Sequence, residues 1–164
     1  MAGSSTAELR LRPTREVDLD FVVAAEADPD NAPYLAPSPR AEHAQFLADP
    51  RLRHLIAEAD GRAVGFALLQ LHPESRAVER RRIAVTEKGR GYGRATLRLA
   101  MAAAFDEHGA HRLWLDVKPH NERARSLYGS AGFVEEGVMR DALFYGGEFQ
   151  SLVLMSILRP EWRP

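Results

Sequence analysis

The apolar positions of this chain switch repeatedly between a twofold and a 3.6-residue spacing, and each switch marks an element. Alternation over residues 8–12 predicts a short strand. Thr14 reads as the cap of a helix reaching about residue 27, with Val17, Phe21 and Ala24 on one face. Pro29, Pro33, Pro37 and Pro39 break up the next stretch, and Ser38-Pro39 opens a second helix to about residue 48. Residues 51–59 and 62–71 read as strands joined by Asp60-Gly61, a strong hairpin signal. A turn over residues 72–76 leads into a strand over residues 77–85.

A helix over residues 94–108 carries Leu97, Met101, Ala104 and Phe105 on one stripe and stops at Gly109. A strand over 112–117, a helix over 121–131 and a strand over 133–143 follow. Gly146-Gly147 closes a last hairpin onto residues 149–158. The order β–α–α–β–β–β–α–β–α–β–β is that of one α+β domain with seven strands and four helices, spanning residues 8–158. Residues 1–7 are small and polar and are expected to be disordered; residues 159–164 form a C-terminal tail.

A chain of 164 residues suits one core that buries roughly 70% of the unfolded surface. No run approaches a membrane span and the start lacks the apolar core of a signal peptide, so a cytoplasmic protein with no membrane partner is expected. There is no cysteine and no His-Glu-x-x-His, which leaves no thiolate zinc site, no Cys nucleophile and no expected metal. Net charge is −1, against bulk nucleic-acid affinity, but it is unevenly spread. Residues 16–49 hold eight acids and one base, net −7; residues 76–98 hold eight bases and two acids, net +6. Arg80, Arg81 and Arg82 are expected to alternate between strand faces, as a solvated strand or cofactor edge.

The basic segment surrounds the most informative stretch, Ile83-Ala84-Val85-Thr86-Glu87-Lys88-Gly89-Arg90-Gly91-Tyr92-Gly93-Arg94-Ala95. A strand runs into a loop with glycine at alternate positions, and the loop opens onto a helix. Such a loop turns successive N–H groups toward one point at the positive end of the helix dipole, and Lys88, Arg90 and Arg94 add charge. That chemistry holds a phosphate or pyrophosphate. No Gly-Lys-Ser/Thr follows, so it is not a P-loop. A dinucleotide site is a rival, with Asp116 as the ribose acid; against it, Thr96 fills the third glycine position and five residues separate Val85 from Gly91.

Downstream stand Asn121-Glu122-Arg123-Ala124-Arg125-Ser126-Leu127-Tyr128 and Ala131-Gly132-Phe133. Together with the Arg-Gly-Tyr-Gly loop, this block resembles the GNAT superfamily of acetyl-CoA-dependent N-acyltransferases over residues 8–158. Glu136-Gly137, Arg140-Asp141 and Gly147-Glu148-Phe149 are similar to the branch that acetylates ribosomal-protein N-termini and polyamines. Two positions depart from the pattern: Lys88 stands for Gln or Arg, and Ser151 for Asp. The resemblance implies a mixed, mostly antiparallel sheet, acetyl-CoA as cosubstrate, an amine acceptor, and a monomer or homodimer.

It also implies roles. The pantetheine arm would lie along residues 79–85, bonded to the backbone of Ile83 and Val85 and passing Ala84, with the amide near Val85 as oxyanion donor. Residues 88–95 would hold the pyrophosphate, and Asn121 and Ala124 would touch the cofactor, although Asn121 is equally a favoured N-cap. Tyr128 would protonate the departing thiolate; an ordinary phenol near ~10 can donate to a thiolate whose acid lies at about 8.5. The other reading of Tyr128 is plain core. Glu79 would be the general base, against an ion pair with neighbouring arginines or an ordered water in its place. The acidic segment 16–49 would wall the acceptor side and favour a cation, or else be a solvated face. A catalytically silent acyl-CoA-binding module remains the alternative function.

Overall fold

Burial alternates cleanly along the strand over Arg112–Val117, whereas the strand over Arg62–His72 is buried on both faces and the one over Val134–Tyr145 is largely exposed. A computed structural model describes residues 8–164; the expectation for residues 1–7 lies outside the described residues. The strands are β1 (Leu9–Pro13), β2 (Leu52–Ala59), β3 (Arg62–His72), β4 (Ala77–Val85), β5 (Arg112–Val117), β6 (Val134–Tyr145) and β7 (Glu148–Leu158). The helices are α1 (Leu19–Ala27), α2 (Arg40–Ala48), α3 (Tyr92–Ala102) and α4 (Glu122–Ser130). The sheet order is β1-β2-β3-β4-β5-β7-β6, antiparallel throughout except at β4 and β5. The expected α+β class, strand count and hairpins are therefore present.

The main core lies under α3 and α4, where Leu97, Met101, Ala104 and Phe105 meet Leu69, Val78, Leu113, Leu115, Met155 and Ile157. A second cluster joins α1 to Ile56, Phe66, Leu68 and Ala84 on the opposite face. Residues beyond Leu158 belong to the first core: Trp162 stacks on Phe105 at 5.7 Å, and Arg159 bonds the Phe105 carbonyl.

Three local expectations need correction. Thr14 does not cap a helix. Its hydroxyl pairs with His54 Nδ1 at 2.8 Å, a 3-10 turn occupies Glu16–Asp18, and the α-helix starts only at Leu19. The inward face of α1 is accordingly Leu19, Val22, Ala25 and Glu26, while Val17 is 78% exposed. The third helix begins two residues early, at Tyr92, and finishes as a π turn over Ala103–Glu107 before Gly109 at φ +62°. Finally, the three arginines of β4 do not simply alternate. Leu69 pairs with Arg80 and Leu68 with Arg82, so Arg81 is an extra residue in a β-bulge. The bulge turns Arg81 and Arg82 to one face, 5.2 and 6.0 Å from the Phe46 ring, and leaves Arg80 on the other over Tyr128.

β4 and β5 pair in parallel at only three positions, residues 77–79 against 112–114. Beyond them the strands diverge, and the sheet opens a wedge in its own middle.

Candidate active site

A cavity of about 970 Å³ sits in that wedge, walled by the ends of β4 and β5, the 88–94 loop and α4. It brings together Ile83, Ala84, Val85, Lys88, Gly89, Gly91, Tyr92, Gly93, Arg94, Asn121, Ala124 and Tyr128 of the residues expected from sequence. Arg90, Ala95 and Glu79 are not in its wall. Arg90 lies 5.6 Å over the Tyr92 ring.

The loop has the geometry its glycines imply. Gly89 and Gly91 take φ +75° and +77°, and an added Cβ at either would meet no atom within 4 Å. Gly91 caps α3 without any side-chain acceptor, so the first-turn N–H groups face the cavity unspent. Donors at the positive end of an eleven-residue helix, opening on a large cavity, fit an anionic phosphate.

Lys88 is placed differently from a free loop charge. Its ammonium donates to Asn31 Oδ1 at 2.6 Å and to the Val85 carbonyl at 3.1 Å, and burial pushes it below the usual lysine range. Asn31 Nδ2 also donates to the Val85 carbonyl, at 3.0 Å. That carbonyl is thus doubly used, leaving Val85 chiefly its N–H for a ligand. Asn121 caps α4, its Oδ1 accepting from Ala124 N at 3.2 Å, and the residue also lines the cavity. Arg94 bonds Ser130 Oγ at 3.1 Å and ties α3 to α4.

Tyr128 is 8% exposed, packed on Phe133 at 5.9 Å and covered by the Arg80 guanidinium at 5.1 Å. Arg80 Nη2 also donates to the Asp116 carbonyl at 3.2 Å, across the wedge. The core reading and the cavity reading of Tyr128 therefore coexist, since the buried ring also forms part of the cavity wall.

Two carboxyls stand at the wedge. Glu79 lies on the α1/α2 face, 3.5 Å from His72 Nε2, and burial raises it above the usual glutamate range. Asp116 lines the cavity and is likewise raised by burial, against the opposing pull of Arg80 and Arg81. Each is poised closer to neutral pH than an exposed acid, as proton transfer requires. The residues sequence reasoning missed in this setting are Asn31 and Arg80. Asn31 sits in a proline-rich loop where Asn signals only a turn, and Arg80 looks interchangeable with its two neighbours. Asp116 drew notice only as a ribose acid.

Four of the eight acids of residues 16–49 have a cationic partner. Asp18 accepts from Arg12 and Arg15, Arg40 pairs with Glu16 and Asp20, and Glu26 is buried against His43 and Arg82. Asp28 and Asp49 accept backbone amides, of Asp30 and Arg51. Asp30 is the acid of this segment that reaches the cavity wall.

Against known proteins, the model of the acetyltransferase (GNAT) family matches residues 19–133. An uncharacterised N-acetyltransferase of Mycobacterium tuberculosis is 37% identical over 99 residues, which is 59% of this chain and 62% of that protein. The chain thus spans less than two thirds of the length of that relative. The spermidine N(1)-acetyltransferase of Escherichia coli is 25% identical over 96% of this chain and 90% of its own. Among solved structures, spermidine N-acetyltransferase from Vibrio cholerae in complex with CoA and spermine superposes with a TM-score of 0.82 at 25% identity, covering 93% of this chain and 96% of that one.

Proposed function

This chain belongs to the acetyltransferase (GNAT) family, and on that footing we propose that it moves an acetyl group from acetyl-CoA to a primary amine. The observation that carries the reading is the uncapped, glycine-entered N-terminus of α3 opening on the same cavity as Tyr128 and the β4/β5 wedge. The pyrophosphate lies on the first-turn amides of α3, and the pantetheine arm runs into the wedge beside Ile83, Ala84 and Val85. The amine arrives as its ammonium and gives its proton to Asp116 or Glu79, directly or through water. Nitrogen then attacks the thioester carbon, and the Val85 N–H stabilises the oxyanion. As the C–S bond breaks, Tyr128 passes its proton to sulfur and takes up the second proton of the amine nitrogen, while Arg80 keeps a positive charge against the ring. Acceptors compatible with this reading are peptide N-termini and polyamines, the latter in keeping with the spermidine enzymes the chain is similar to. We place the reaction in the cytoplasm, by a monomer or homodimer.

Calorimetry with acetyl-CoA, NADH and ATP, followed by a thiol-release screen across amines, tests this reading. Acetyl-CoA binding with thiol release is expected. Preferential NADH binding would restore the dinucleotide reading, and binding without thiol release would leave the silent module. Gly91→Asp should abolish acetyl-CoA binding, because it places a carboxylate in open space before the amides at a position with φ +77°.

A further inference from the structure

Lys118 follows directly on the end of β5, and it is 7% exposed. A buried ammonium ordinarily has a carboxylate partner, yet among the described residues none lies within 4.0 Å of it. Its hydrogen-bond acceptor is the Pro33 carbonyl at 3.1 Å, and the Tyr145 ring centre is 5.8 Å away. An ammonium has three donors, so two are left.

Lys118 forms part of the wall of a second recess, of about 370 Å³, together with His120, Gln150 and Ser151. Ser151 Oγ accepts the Asp141 N–H at 3.1 Å, which leaves its own O–H to donate outward. Gln150 offers an amide N–H₂. Glu148, exposed at the edge of the hairpin, is the acid in this wall. His120 lines both this recess and the main cavity, so the two are neighbours. Lys118 is also two residues beyond Asp116, one of the carboxyls placed to receive the amine's proton.

We propose that this recess is the acceptor's anion subsite: it binds a carboxylate carried on the same molecule as the reacting amine. The inference rests on the acetyl-transfer reading and narrows its substrate to amines that bear an acid, rather than to polyamines. The cationic partners of Glu16, Asp18, Asp20 and Glu26 agree with this, because they reduce the negative field there for a polycation. The carboxylate has two possible sources, the main-chain acid of a free amino acid or an acidic side chain near a peptide N-terminus.

Thiol release is measured for three sets of acceptors: amino acids against their amides; C-amidated peptides with Glu against Gln at the second position; and spermidine. The acid of a pair should exceed its amide in kcat/KM by roughly tenfold or more, as expected for a charge-assisted contact. The first set reports the free amino acid as source, the second the peptide. Lys118→Met should collapse that ratio toward one, acting mainly through KM, and Lys118→Arg should restore much of it. Equal rates for acid and amide in both sets, a preference for spermidine, or an unchanged ratio in Lys118→Met would overturn the proposal. Calorimetry of N-acetylated acids and their amides in the presence of CoA gives the same comparison without turnover. If no amine releases thiol but this binding preference appears and depends on Lys118, the acetyl-transfer reading fails and the subsite stands. If turnover occurs and the preference is absent, the subsite fails alone.

Discussion

Replacing Gly65 by alanine should damage a site that Gly65 never touches. Gly65 of β3 pairs with Val85 of β4, and a Cβ built on it would stand 2.5 Å from the Ala84 carbonyl oxygen and 2.9 Å from Val85 Cγ1. Ordinary contact begins near 3.4 Å, so the strands must part by about 0.9 Å. The obstacle is backbone, which cannot swing aside as a side chain would. Overpacking of this kind costs about 1–3 kcal/mol, or roughly 2–12 °C in Tm for a domain of this size. The displaced segment also carries the Val85 N–H assigned to the oxyanion, and misplacement near 1 Å costs about 10²-fold in rate. Gly93→Ala is the control, because its Cβ would find its nearest neighbour 4.0 Å away. That variant should keep or raise Tm, since alanine is about 1 kcal/mol the better helix former, while a methyl in the cavity wall weakens acetyl-CoA binding. Differential scanning calorimetry and thiol-release kinetics on both variants check the pair. A Gly65→Ala protein with the parental Tm and turnover would refute the close approach and the role given to Val85.

Tyr128→Phe keeps the ring that packs on Phe133 and under Arg80, so acetyl-CoA affinity and Tm should hold while kcat falls about 10²-fold; parental turnover would remove Tyr128 from the chemistry. The buried chain Thr14–His54–His43–Glu26, with His54 Nε2 and His43 Nδ1 3.1 Å apart, makes stability depend on pH. Burial and the neighbouring His43 lower His54 from 6.5 to about 4. The native state thus prefers the neutral ring, so its contribution is whole above the ordinary 6.5 and is lost as pH falls through about 4. Two and a half decades at about 1.4 kcal/mol each give on the order of 3 kcal/mol. Urea melts at neutral pH and near pH 4 should show His54→Gln losing less stability on acidification than the parent; equal losses would place the titration elsewhere.

Features carried by near neighbours in the chain could be read from sequence. The Asp60-Gly61 and Gly146-Gly147 hairpins, the α3 stripe and the glycine loop each depend on residues a few positions apart. What escaped depends on distant partners. Thr14 looks like a cap because His54, forty residues on, is invisible from its neighbourhood. Lys88 looks like a free loop charge, since nothing local announces that Asn31 will hold it against the Val85 carbonyl. Strand period assumes an unbroken ladder, so the bulge at Arg81 defeated the expected alternation. The acidic surplus of residues 16–49 counts charges without their arginine partners, and a single lysine after a strand, as at Lys118, carries no pattern.

The three-residue pairing of β4 with β5 makes the domain two half-sheets with a narrow seam. Whatever lies in the wedge braces one half against the other, as a strut does between diverging beams. Its binding free energy then adds to the cohesion of the fold by mass action, about 2.7 kcal/mol at a hundredfold excess over Kd. The chain's resistance to proteolysis would therefore rise with the concentration of any ligand that fills the wedge, so a protease becomes a gauge of its occupancy.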